Sequence, residues 1–204
     1  MKKERAVIFD CDGVMFDSRE ANINFYNHFL KHFGLPPMTQ DQIEFVHMHT
    51  ADESIGHIFK GTPYLEQARE FRTQVDYTPF IDDMVMEPGL KELLRELKPR
   101  FGLAVATNRS NTIGRVIESK GLEGFFDIIV SSLDVDNPKP DPETILKILK
   151  FFDLGPSETF YVGDSMVDQQ TAGAAGVMFI SYKNRALEAD HYVYSMMEIS
   201  KLLM

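Results

Sequence analysis

Between residues 90 and 180, short apolar runs alternate with segments whose apolar residues recur at helical spacing. Helical patterns over 90–97, 111–120, 142–152 and 166–175 are separated by strand-like runs at 103–106, 128–130, 160–162 and 177–180. Strands joined through helices in this way imply a parallel sheet covered by helices. Near the N-terminus, Ala6-Val7-Ile8-Phe9 lies between a charged stretch and Asp10-Cys11-Asp12-Gly13, and reads as one more short buried strand.

The intervening segment, from about 18 to 84, is helical and has no strand-like run. Ala21, Phe25, Phe29 and Phe33 recur at near-fourfold spacing before Gly34 and Pro36-Pro37, and helical stretches follow at 43–48, 54–59 and 65–75, with Gly61-Thr62-Pro63 as a break. Pro79 and Pro88-Gly89 mark the boundary with the α/β part. The fold expected is α/β: a Rossmann-like parallel-sheet core built from 1–17 and 85–204, interrupted by an all-helical cap over 18–84, with the active site under that helical lid. At the end, Ser195 and Glu198 fit a capping box, and Met196, Ile199, Leu202 and Leu203 can dock the last helix on the core.

A length of 204 residues allows one large or two small domains. Lys and Arg total 21 against 31 Asp and Glu, a net charge of −10 that argues against nucleic acid or an anionic membrane surface as partner. Cys11 is the single cysteine; it rules out an internal disulfide and reads as a small buried hydrophobe in a reducing compartment. No signal-like N-terminus and no run of about 20 apolar residues is evident, so a cytoplasmic protein is expected. Monomer and homodimer both stay open.

Polar clusters follow the strands of this topology. Asp10 sits where the first strand ends and Asp12 two residues on; the pair reads either as a polar turn or as carboxylates presented to a ligand, since open α/β sheets bind ligands beyond the carboxyl ends of their strands. Thr107-Asn108-Arg109 follows the run at 103–106, and there Asn108 or Ser110 is an alternative helix N-cap. Lys139 lies in Pro138-Lys139-Pro140-Asp141-Pro142, a loop stiffened by prolines, where a cation can neutralise a phosphate. Asp164 ends the run at 160–162, and Asp168 falls in the first helical turn, where it can also favour the helix N-terminus. Four acidic groups converging at one edge would repel, and a bound divalent metal accounts for them economically.

Together these residues resemble the haloacid dehalogenase-like hydrolase superfamily, in its Asp-x-Asp phosphatase branch with a helical cap, and most of all the phosphoglycolate phosphatase-like group. The resemblance spans nearly the whole chain through Asp10–Val14, Thr107, Lys139 and Asp164–Asp168. It implies that Asp10 is the nucleophile forming an aspartyl-phosphate and that Asp12 is acid and then base. It further implies that Mg2+ is held by Asp10, the Asp12 backbone carbonyl and Asp164, with Asp168 as a close supporting group. Thr107, the Asn108 amide and Lys139 would bind the phosphoryl oxygens of a small phosphorylated metabolite. Arg109 stands where many phosphoglycolate phosphatase-like members carry lysine; it is suited to grip a carboxylate or second phosphate, or to pair with a surface acid.

Asp12 favours phosphate-ester hydrolysis over dehalogenation within this superfamily. A phosphosugar mutase or phosphotransferase, a pyrophosphatase or nucleotidase, and a non-catalytic phosphate-binding relative are the competing readings. In the cap, His47, His49 and His57 read as surface or capping residues rather than a metal site, because His47 and His49 diverge on a helix. The polar stretch 47–54 makes His49 and Thr50 candidates to meet a leaving group.

Overall fold

A computed structural model describes residues 3–204. Two compact units divide the chain, one running up to Asp17 and then from Met86 to Met204, the other from Ser18 to Val85.

The first unit is built on a six-stranded, all-parallel sheet. Its strands are β1 (Ala6–Phe9), β4 (Gly102–Ala106), β5 (Ile128–Val130), β6 (Thr159–Gly163), β7 (Met178–Tyr182) and β8 (His191–Val193), in the order β5-β4-β1-β6-β7-β8. Two short strands, β2 (Phe16–Asp17) and β3 (Val85–Met86), form a separate sheet. Every residue of β1 is fully buried, as a central strand covered on both faces requires. Register aligns the strand ends: Phe9 lies opposite Val105 on one side and Val162 on the other. The residues that follow β1, β4 and β6 therefore emerge together along one edge.

Helices α6 (Leu90–Leu97), α7 (Ile113–Ser119), α8 (Glu143–Phe152), α9 (Met166–Ala175) and α10 (Met196–Leu203) accompany this sheet. Along α6, Leu90, Leu93, Leu94 and Leu97 are fully buried, the i, i+3, i+4, i+7 stripe of an amphipathic helix, and each contributes roughly 1.5–3 kcal/mol. In α10, Met196, Ile199 and Leu203 are buried as expected, but Leu202 is 38% exposed. Ser200 takes the fourth inward place and donates to Glu96 on α6 at 2.6 Å. The expected capping box is also absent: Ser195 is the N-cap without a side-chain bond, and Glu198 accepts the N–H of Tyr194 instead, at 2.8 Å.

The second unit holds α1 (Arg19–His32), α2 (Gln40–Met48), α3 (Ala51–Ile58), α4 (Leu65–Gln74) and α5 (Thr78–Ile81). An aromatic cluster forms its centre, with Phe25 4.8 Å from Phe29 and 5.0 Å from Tyr77, and Phe29 5.2 Å from Phe71. Capping boxes open α2 (Thr39 with Gln42) and α3 (Thr50 with Glu53). The Thr50 hydroxyl donates to Glu53 at 2.7 Å as part of the second of these boxes. The rings of His49 and His57 both stack on Phe45, at 3.8 and 4.0 Å. Pro79 does not mark a boundary; it occupies the first turn of α5, where its missing N–H costs nothing. None of the helices among the described residues is long and apolar enough to cross a membrane.

Candidate active site

Asp10 continues β1 for one residue beyond the strand, its N–H donating to Val162 O at 2.9 Å. The residue is 7% exposed, and one carboxylate oxygen accepts the Cys11 N–H at 2.7 Å. Cys11 is fully buried; burial pushes its thiol well above the ordinary value, in keeping with a packing role. The chain then turns at Gly13, whose φ of +78° suits glycine, and a Cβ there would collide with the Asp164 carboxylate. Gly163, at the end of β6, likewise leaves space that Asp168 occupies.

Lys139 brings the acids together. Although lysine is ordinarily solvated, Lys139 is only 4% exposed. Its Nζ lies 2.8 Å from Asp10 Oδ1 and 2.7 Å from Asp168 Oδ1, and donates to Tyr161 Oη at 3.0 Å. Asp168 is fully buried and satisfied on all sides: it accepts from Tyr161 Oη and Ser165 Oγ, each at 2.6 Å, and from the N–H groups of Ser165 and Asp164 at 3.1 and 3.2 Å. With Ser165 it forms the capping box of α9, so its expected place at the helix start and its place in the site are one arrangement. Tyr161, which the sequence presents only as a residue of an apolar strand, is thus part of the site. So is Asn184, whose side chain donates to Asp164 O at 2.8 Å.

The loop after β4 supplies the remaining groups. Thr107 is fully buried, and its Oγ1 accepts the Arg109 N–H at 3.1 Å. Asn108 donates through Nδ2 to Lys139 O at 3.0 Å and ties the two loops together. Neither Asn108 nor Ser110 caps a helix; α7 begins at Ile113 with Thr112 as N-cap. Arg109 pairs with an acid, but not one on the surface: Nε and Nη2 reach the two carboxylate oxygens of Asp12 at 2.8 and 2.6 Å.

Burial, together with the neighbouring Asp168, pushes the Asp10 carboxyl up to about 7 against the pull of Lys139. Burial also raises Asp164 well above the carboxylate range, reinforced by Asp168 and Asp10. Burial acts upward on Asp168 too, but Lys139 and the hydrogen bonds of Lys139, Ser165 and Tyr161 overcome it and hold that carboxyl below its usual value. Burial alone would depress Lys139; Asp10 and Asp168 keep it charged. Oxygen atoms of Asp10, Asp164 and Asp168 come within 4.8 Å of one another. Such an all-carboxylate set, crowded enough to resist ionisation by itself, fits a hard divalent cation.

The haloacid dehalogenase-like hydrolase family model matches residues 7–182. A phosphoglycolate phosphatase of Chromobacterium violaceum is 30% identical, covering 100% of this chain and 98% of its own length. Pyrophosphatase PpaX of Bacillus velezensis is 28% identical over 97% of this chain and 95% of its own. The crystal structure of a HAD-superfamily hydrolase from Geobacter sulfurreducens superimposes with a TM-score of 0.81 at 40% identity, covering 98% of this chain and 96% of that one. With the carboxylates and lysine gathered at the carboxyl edge of its sheet, and with these matches along nearly its full length, the chain belongs to the haloacid dehalogenase-like hydrolase family, among its phosphoglycolate phosphatase-like phosphatases.

Proposed function

We propose that the protein is a Mg2+-dependent phosphatase that hydrolyses a small phosphate monoester through an aspartyl-phosphate on Asp10. The observation that carries this reading is the contact of Lys139 Nζ with Asp10 Oδ1 at 2.8 Å, beside the carboxylates of Asp164 and Asp168. A carboxylate held next to a fixed cation at the mouth of a parallel sheet can accept a phosphoryl group whose charge that cation balances.

Asp10, Asp164 and the backbone carbonyl of Asp12 would hold the metal, with Asp168 in support; when bound it supplies countercharge to the phosphoryl oxygens. An oxygen of Asp10 attacks phosphorus, the bond to the ester oxygen breaks, and Asp12 gives that oxygen its proton. Asp12 then takes a proton from water as the water oxygen attacks the same phosphorus, and the bond from phosphorus to Asp10 breaks. Ester and water become alcohol and inorganic phosphate, and both carboxyl groups return to their starting states. Thr107, the Asn108 amide and Lys139 position the phosphoryl oxygens, and such positioning supplies most of the rate in phosphoryl transfer. Arg109 belongs to the substrate-binding set. The relatives named for phosphoglycolate and for pyrophosphate point to small substrates with a second anionic group.

The test is phosphate release from a panel of phosphorylated metabolites with Mg2+. Release that stops with chelator and in Asp10→Asn supports the reading; full activity in Asp10→Asn contradicts it.

A further inference from the structure

Asp12 and Arg109 form a two-point ion pair. Both Asp12 carboxylate oxygens lie in the guanidinium fork, 2.8 Å from Nε and 2.6 Å from Nη2, and the two side chains are 14% and 8% exposed. In this arrangement both oxygens face the guanidinium, whereas proton transfer by Asp12 requires one of them to carry a proton and present it to the leaving group in each turnover. The pair must therefore open. A guanidinium this buried is strongly disfavoured without an anion, and its planar fork is matched by a carboxylate or a phosphate. The Arg109 backbone does not share in the exchange, because its N–H is held by Thr107 Oγ1 at 3.1 Å and its carbonyl accepts from Ser132 N and Oγ at 3.0 and 3.1 Å. The exchange therefore falls to the side chains.

We propose that Arg109 is the specificity-determining residue: it trades the Asp12 carboxylate for a second anionic group on the substrate, and so releases Asp12 for proton transfer only when that group is present. The protein then selects phosphate compounds whose leaving group carries a carboxylate or another phosphate. An ester with a neutral alcohol leaves Arg109 on Asp12 and turns over slowly. This inference rests on the phosphatase reading and adds the residue that selects its substrates and the contact it exchanges to do so.

The experiment compares kcat/KM for 2-phosphoglycolate, pyrophosphate and ethyl phosphate in the presence of Mg2+, using the wild-type protein, Arg109→Gln and Arg109→Lys. Wild type is expected to favour at least one of the two anion-bearing substrates over ethyl phosphate by at least about tenfold. Which of the two is favoured tells a carboxylate from a second phosphate. Arg109→Gln is expected to bring that ratio to within about threefold of unity, losing rate on the anionic substrate and gaining it on ethyl phosphate, while Arg109→Lys keeps part of the preference. A merely structural role for Arg109 would lower all rates together and leave the ratio in place. Near-equal wild-type values for all three substrates overturn the proposal while leaving the phosphatase reading intact, and this arm needs no variant to fold. A ratio that persists in Arg109→Gln overturns it as well. Failure of wild type to release phosphate from these substrates and from p-nitrophenyl phosphate overturns both readings.

Discussion

Lys139 places its Nζ 2.8 Å from Asp10 Oδ1, and neither side chain is more than a tenth exposed. Removing one member of a buried ion pair strands the other, at a cost of about 3–5 kcal/mol. Lys139→Met is therefore expected to lower the unfolding free energy by an amount of that order and to reduce phosphate release by at least about a hundredfold. Denaturant melts and a phosphate assay on the same preparation check both, and a variant that keeps wild-type stability and turnover contradicts the role assigned to the lysine.

Asp10 also contributes to how stability depends on pH. Its carboxyl rises from 3.8 to about 7 in the folded protein, so between those values the folded state binds more protons than the unfolded one. Without divalent cations, the Asp10 contribution to stability falls as pH rises through that window. Asp168, held below its ordinary value, works in the opposite sense and adds stability that is lost on acidification below about pH 4. Because a cation binds the ionised carboxylates, the rise in melting temperature produced by Mg2+ is expected to be larger at about pH 8 than at about pH 5. Thermal scans with and without Mg2+ across this range check the trend; a shift that shrinks with rising pH contradicts it.

Tyr161→Phe removes one hydroxyl that bonds both Asp168, at 2.6 Å, and Lys139, at 3.0 Å. Loss of a hydrogen bond to a charged group costs about 1.5–3 kcal/mol. The variant is expected to be destabilised on that scale and to lose about tenfold in kcat with KM little changed, because the hydroxyl positions Lys139 without being assigned a substrate contact. Steady-state kinetics together with a thermal melt measure both effects.

At Gly13 the backbone φ is +78°, and a Cβ would strike the Asp164 carboxylate. Gly13→Ala is expected to cost about 1–3 kcal/mol through backbone strain and to weaken Mg2+ binding by displacing Asp164. Calorimetric titration of the variant with Mg2+ against wild type reads the second effect directly.

Much of the fold was legible because its signals are local. The apolar run at 6–9, the leucine stripe of α6 and the helix at Met166–Ala175 each announce themselves within a few residues. Strand β8 did not, because His191-Tyr192-Val193 is short and carries no apolar run, and its pairing with β7 is a tertiary event. Pro79 misled for a related reason: proline breaks a helix interior but suits a first turn, and the sequence does not say which applies.

The candidate site followed the same division. Residues directly after strands, such as Asp10, Thr107 and Asp164, were readable from position. Side-chain partnerships across loops were not: Arg109 with Asp12, Asn108 with the Lys139 carbonyl, and Tyr161 with Asp168 depend on how separate strand ends meet. Tyr161 was hidden further by its neighbours, since an aromatic residue in a buried strand reads as core.

The central claim is that Asp10 carries the phosphoryl group, and borohydride trapping tests it most directly. The wild-type protein, turning over phosphate ester with Mg2+, is quenched in acid, treated with borohydride and digested, and the peptide spanning Asp10 is weighed. An aspartyl-phosphate at that position is reduced to homoserine, so the account predicts that the change, loss of one oxygen and gain of two hydrogens, falls on Asp10 and nowhere else. Trapping at another carboxylate, or sustained turnover with Asp10 never modified, would contradict it.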